Sequence, residues 1–244
     1  MNKRRLLGQH MLTDTDIIKT ILDSAELNKD DVVYEVGTGN GVLTAQLCKN
    51  AGKVISCEVD KNLLEKAQKT LVKYSNLILI SGDGFKLNYD FNVFISNLPY
   101  SKSKTAIEWL AMRNFDKAVI MVQREFAEKI LAGQQRNYRA ISALAQYCFG
   151  AKLITNVSKN SFYPRPKVDS VLLKLVQKQK VDKNVIRALE LLFSYKGKKV
   201  RNAIKKFKLD RNLEFGEKRI EKLTPEELIG LAKIVAQERL LQTI

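Results

Sequence analysis

At 244 residues, close to half of them apolar, the chain can bury a full core, either as one large domain or as a large domain with a small appendage. Its formal charge of +16 exceeds what solubility asks for and points to a polyanionic partner, either nucleic acid or an acidic membrane surface. Three scattered cysteines with no CxxC pair and a single histidine exclude a disulfide framework and a zinc cluster, and no run of apolar residues approaches membrane-spanning length.

The opening MNKRRLLGQHML is basic but holds no signal-peptide core, so a soluble cytoplasmic protein with no membrane partner is expected. From residue 14 to 27, Ile17, Ile18, Ile21, Leu22 and Ala25 recur at helical spacing behind a Thr13 or Asp14 cap. The pattern then alternates. Residues 31–36, 53–58, 77–81, 91–96 and 118–122 read as strands, and 41–51, 62–74, 103–112 and 125–132 read as helices. Such alternation predicts an α/β fold with a doubly wound, mostly parallel sheet, whose ligand crevice lies outside the carboxyl ends of the strands. Two further strands, 152–157 and 171–176, bring the count to seven, and their short connection predicts an antiparallel hairpin at the sheet's edge. Beyond about residue 175 only helical periodicity remains, over 184–195, 198–207 and 225–241, the last capped by Thr224 with Pro225 in its first turn. The expected organisation is therefore a domain over 1–177 and a small helical domain over 178–244. That second stretch holds 17 Lys and Arg against 9 Asp and Glu, half of the total charge.

Chemistry-bearing residues fall at the strand ends. The loop Glu35-Val36-Gly37-Thr38-Gly39-Asn40-Gly41 follows the first strand and opens a helix, where glycines let a ligand approach the backbone. Its third glycine comes four residues after the first instead of five, so the dinucleotide fingerprint fails. Glu58 ends the second strand, 21 residues after Gly37, where a carboxylate can accept ribose hydroxyls. Asp83 ends the third strand, placed to accept from an adenine amino group, and Asn97 ends the fourth. Singly, each is an ordinary loop or cap residue; glycines, an acid, an acid and an amide at four successive strand ends are more than coincidence.

Asn97-Leu98-Pro99-Tyr100 closes an apolar strand with two oxygen acceptors and an aromatic ring, a place to hold a flat base. The lone pair of an exocyclic amine is delocalised into its ring. Accepting its two N–H bonds at the Asn97 amide and the Leu98 carbonyl localises that pair for attack, while Tyr100 stacks on the base and Pro99 stiffens the turn. The run from Lys196 through Lys208 to Arg211 holds eight basic residues and one acid in sixteen positions. On a helix it would bury Val200, Ala203, Ile204 and Phe207 and expose Lys198, Lys199, Arg201, Lys205 and Lys206 as a phosphate-binding face. Lys3, Arg4, Arg5, Lys102 and Lys104 flank the crevice and are candidates for further contacts.

Together these pieces resemble the S-adenosylmethionine-dependent methyltransferases and, more narrowly, the rRNA adenine N(6)-methyltransferase family of small-subunit type. The resemblance rests on Gly8-Gln9-His10-Met11-Leu12, residues 35–41, Glu58-Val59-Asp60, Gly82-Asp83, residues 97–100, and the segment FYPRPKVDS over 162–170, in family order. It implies a Rossmann-like sheet binding S-adenosylmethionine, with His10 and Leu12 along the methionine end, Gly37 and Gly39 against the backbone, Glu58 on the ribose, Asp83 on the adenine and Asn97 between cofactor and substrate. Many relatives carry Asn at the position of His10, and contact there is through either main chain or side chain. A flipped adenine would be gripped between Tyr100 and Phe162; the other reading of Phe162 is core packing beside two prolines. The implied substrate is the hairpin near the 3′ end of small-subunit rRNA, free or in an immature subunit, with dimethylation of two adjacent adenines by a monomer. Alternatives are an RNA-binding assembly or transcription factor on the same scaffold, and a large-subunit rRNA methyltransferase of the macrolide-resistance type.

Overall fold

The computed structural model describes residues 10–133, 138–209 and 213–241. Its main sheet is built from β2 (Val32–Val36), β3 (Lys53–Glu58), β4 (Leu77–Ser81), β5 (Val93–Asn97), β6 (Lys117–Gln123), β7 (Phe149–Val157) and β9 (Ser170–Gln177). The strand order is β4-β3-β2-β5-β6-β9-β7, parallel from β4 through β6, with β9 antiparallel to β6. The expected doubly wound sheet of seven strands is present. After β2 the chain winds outward through β3 and β4, then returns to place β5 on the other side of β2. That reversal opens a crevice at the carboxyl ends of β2 and β5.

The helices start where side chains satisfy free backbone N–H groups. Asp14 caps α1 (Thr15–Ala25) by accepting from the amides of Asp16 and Ile17 at 3.0 and 3.3 Å. Asp60 does the same for α3 (Lys61–Leu71). Between them, α2 (Val42–Asn50) begins at Gly41 with φ +79° and no side-chain cap. One face of the sheet buries Val33, Val54, Val93, Ile95 and Met121 with Ile21 of α1 and Leu47 of α2. Elsewhere in the same unit Tyr34, Phe91 and Phe115 stack in sequence, with ring centroids 5.2 and 6.4 Å apart.

A second, two-stranded antiparallel ribbon was not expected from the sequence. It pairs β1 (Met11–Leu12) with β8 (Phe162–Tyr163), Met11 opposite Tyr163 and Leu12 opposite Phe162. Helices α4 (Ser103–Leu110) and α5 (Arg124–Leu131) match expectation, whereas α6 (Ala140–Cys148) was also unforeseen. The carboxy-terminal part forms α7 (Lys183–Phe193), α8 (Val200–Ile204) and α9 (Pro225–Leu241). The helix expected over 198–207 is shorter than its periodicity suggests. It passes into a 3-10 turn at Lys205–Phe207 and stops at Lys208, whose φ is +57°. At the start of α9, Thr224 and Glu227 cap each other's backbone amides at 2.9 and 3.2 Å.

Two compact units result. The first takes the described parts of 1–106, 114–127 and 151–177; the second takes those of 107–113, 128–150 and 178–244. The second unit includes two earlier segments as well as the carboxy-terminal stretch, so it is not a simple tail. Within it, α9 packs on α7 and α6. No helix among the described residues is long and apolar enough to cross a membrane.

Candidate active site

The glycine loop after β2 is held from below by its neighbour strand. The Gly37 and Thr38 amides both donate to the Cys57 carbonyl, at 2.8 and 3.3 Å. Gly37 and Gly39 adopt φ of +93° and +58°, and a Cβ at Gly39 would stand 2.9 Å from the Met11 sulfur. Only glycine meets both demands there. Beneath the loop, Glu35 is 1% exposed, and its Oε2 accepts from the hydroxyls of Thr44 and Ser56, each at 2.6 Å. Ser56 in turn meets Thr38 of the loop at 2.6 Å. Burial pushes the Glu35 carboxyl up to about 7, against the two hydroxyl hydrogen bonds that favour its charge.

Glu58 is 4% exposed at the end of β3 and has three backbone amides on its carboxylate. Gly39 donates to Oε2, and Val59 and Asp60 to Oε1, all at 2.9 Å. A carboxylate offers about four acceptor positions, so most of its capacity already serves to fix the loop. Asp83 likewise commits Oδ1 to the Phe85 amide at 3.1 Å, while Oδ2 faces the Lys102 ammonium at 3.7 Å. Cys57, 1% exposed, gives its thiol to the Tyr34 hydroxyl at 3.3 Å, and burial pushes that thiol up.

Across the switch point stands Asn97. Its amide nitrogen donates to the His10 carbonyl at 3.1 Å, which fixes the side chain's orientation and leaves Oδ1 as the free acceptor. The His10 ring has its own anchor: Nδ1 lies 2.7 Å from the Pro164 carbonyl, a pure acceptor, so Nδ1 carries the hydrogen. That ring and Tyr100 lie 5.5 Å apart, and the Tyr100 hydroxyl meets Ser170 at 2.8 Å. Burial raises the Tyr100 phenol, so it stays protonated.

These groups enclose a cavity of about 310 Å³. His10, Gly37, Gly39, Glu58, Asp83, Asn97, Leu98, Pro99 and Tyr100, all named from the sequence, line it together. Two expectations are corrected. Leu12 and Phe162 do not line it; they are 8% and 4% exposed and belong to the hydrophobic core, facing each other across the β1–β8 ribbon. Phe162 is thus the core residue of the alternative reading, and Met11, one position before Leu12, takes the wall. Sequence reasoning also missed Val59 and Phe85 as apolar walls. Their signal was position, each lying one or two residues beyond a strand-end acid.

In the second unit Val200, Ala203, Ile204 and Phe207 are buried and Lys198, Lys199, Arg201, Lys205 and Lys206 are exposed, the division read from the sequence. Lys199 and Arg201 both engage the exposed Glu217, the lysine at 2.8 Å. Lys102 lies on the cavity wall. Lys3, Arg4, Arg5, Gly8, Gln9 and Arg211 lie outside the described residues. Among the described residues, no group of three or more His, Cys, Asp or Glu side chains is arranged to hold a metal ion.

A family model described as "Ribosomal RNA adenine dimethylase" matches residues 1–237. The chain is 34% identical to the probable ribosomal RNA small subunit methyltransferase A of Pyrococcus furiosus, over 92% of this chain and 89% of that one. It is 36% identical to ribosomal RNA small subunit methyltransferase A of Clostridium botulinum, over 84% and 80%. Among solved structures, a dimethyladenosine transferase from Plasmodium falciparum superposes with a TM-score of 0.80 at 27% identity, covering 94% of this chain and 98% of that one.

Proposed function

The chain belongs to the ribosomal RNA adenine dimethylase family, and from that premise we propose that it dimethylates the exocyclic amines of two adjacent adenines in the hairpin near the 3′ end of small-subunit rRNA. S-adenosylmethionine is the methyl donor. The enzyme acts as a cytoplasmic monomer, on rRNA or on an immature small subunit.

The cavity's donor and acceptor set fits that cofactor. Glu58 keeps residual acceptor capacity for ribose, Asp83 offers Oδ2 to an adenine amine, Val59 and Phe85 supply apolar walls for a flat ring, and Gly37 and Gly39 leave the backbone open to close approach. When bound, the cofactor supplies a methyl group already activated by its sulfonium. What remains for the protein is position. Asn97 Oδ1 and the Leu98 carbonyl accept the two N–H bonds of the target amine and stabilise the positive charge that develops there, the inverse of an oxyanion hole. Because the Asn97 nitrogen is engaged by the His10 carbonyl, the side chain presents oxygen to the amine without reorganising. Tyr100 stacks on the base with its ring steadied by Ser170. The proton lost from the amine passes to water. The exposed lysines and arginine of α8 and its flanks contact RNA phosphates, holding the substrate without reading its sequence.

The observation that carries this reading is the convergence of Glu58, Asp83 and Asn97, from the ends of three parallel strands, on one cavity floored by the glycine loop. The test is transfer of labelled methyl groups to immature small subunits, followed by mapping of the modified nucleotides. Two adjacent dimethyladenines near the 3′ end of the small-subunit rRNA are expected. Tight binding without label would favour an assembly factor, and label in large-subunit rRNA would favour the resistance-type activity.

A further inference from the structure

The β1–β8 ribbon sorts its side chains by face. Residues directly opposite in an antiparallel pair project to the same side. Leu12 and Phe162 therefore share one side, and it is the core side. Met11 and Tyr163 share the other. Met11 lines the cavity, so Tyr163 stands beside the cavity wall, yet it is 74% exposed. The chain that follows stays at the rim, because the Pro164 carbonyl anchors the ring of His10, itself a lining residue. Arg165 and Lys167 then emerge into solvent, and neither has an ion-pair partner among the described residues. An exposed aromatic beside a base-sized cavity, followed at once by two unpaired cations, is the chemistry of a single-stranded RNA subsite: a ring to stack on and charges for the backbone.

We propose that Tyr163 is a stacking platform for a nucleotide next to the target adenine, with Arg165 and Lys167 on the adjoining phosphates. The proposal rests on the rRNA adenine reading and adds a subsite to it. Turning the target out of its stack strips one face from each neighbour. A ring at the rim replaces that lost face, and a base stacked on an aromatic is typically worth about tenfold or more in affinity. Tyr163 is a substrate-binding residue in this account, outside the methyl-transfer chemistry.

The test compares wild-type enzyme with Tyr163→Ala, Tyr163→Phe and Tyr163→Trp on immature small subunits, measuring KM for the RNA substrate, kcat and cofactor affinity separately. It adds binding of rRNA hairpins carrying 2-aminopurine on either side of the target adenine. Tyr163→Ala should raise the RNA KM about tenfold, with kcat and cofactor affinity unchanged. Phe and Trp should restore wild-type KM. Fluorescence of one flanking 2-aminopurine should be quenched by the wild type and by Tyr163→Phe but not by Tyr163→Ala. An unchanged KM for Tyr163→Ala, or a Phe variant as impaired as the Ala variant, overturns the platform. If the wild type itself places no methyl group on adenine, the functional reading fails instead, so the two failures are distinguishable.

Discussion

The cavity and the basic stretch around α8 use polar groups in opposite ways. In the cavity nearly every functional group is tied down: Glu58 by three amides, Asn97 by the His10 carbonyl, Tyr100 by Ser170 and His10 by Pro164. Around α8 the cations are exposed, and the ion pairs of Lys199 and Arg201 are made to a solvent-exposed carboxylate. Methyl transfer needs atoms held to a fraction of an ångström, and the protein supplies that before substrate arrives. Phosphate binding needs only charge and reach, and rigid partners would impede it.

This contrast is sharpest at Asn97. On the proposed role of Asn97, Asn97→Ala should lower turnover by about a hundredfold or more while cofactor affinity persists, since the proposed transition-state acceptor is lost and the rest of the cavity is kept. Single-turnover kinetics beside a cofactor-binding isotherm check it, and unchanged turnover removes the assigned role. Next in size is the buried acid under the glycine loop. Folded Glu35 keeps its proton to about pH 7, whereas an unfolded glutamate releases it near 4.5. Its contribution is thus full below pH 4.5 and is lost as pH rises to about 7, a change of up to about 3 kcal/mol. Glu35→Gln, neutral at every pH and still able to accept from Thr44 and Ser56, should flatten that decline in urea melts taken at pH 4.5 and 7.5. An identical pH slope in the variant would count against it.

Effects in the basic region should be smaller per residue and salt-dependent. Reversing Lys198, Lys199 and Lys205 to Glu should weaken RNA binding by roughly tenfold or more at physiological salt and reduce the salt slope, leaving cofactor affinity alone. Equal loss of both affinities would mean misfolding. Smallest is Glu217→Gln, which releases Lys199 and Arg201. RNA affinity should rise by about twofold, as expected of an exposed pair. No change would mean that the pair does not compete with phosphate.

Much of the site was legible because regular strands carry their own register. A buried parallel strand reads as an apolar run, so its last residue, Glu58 on β3 or Asn97 on β5, is found by counting, whereas Asp83 lies two residues past the end of the partly exposed β4. Ribbon β1–β8 has two residues per strand, too few to show alternation, so nothing local revealed that Phe162 faces inward and Tyr163 outward. Helix α6 was missed because Ser142, Ala143, Leu144 and Ala145 are all buried, and a helix covered nearly all round has no amphipathic stripe. The second unit's claim on 107–113 and 128–150 arises from packing between distant segments, which periodicity within one segment does not report.

Cys57 sits in the wall of the cavity proposed to hold an alkylating cofactor. A thiolate there would compete with the substrate amine for the methyl group and inactivate the enzyme from within. Burial, acting against the hydrogen bond to Tyr34, keeps this sulfur a neutral, poorly nucleophilic thiol. On the proposed function, the same desolvation that builds the core would also guard the enzyme against methylating itself.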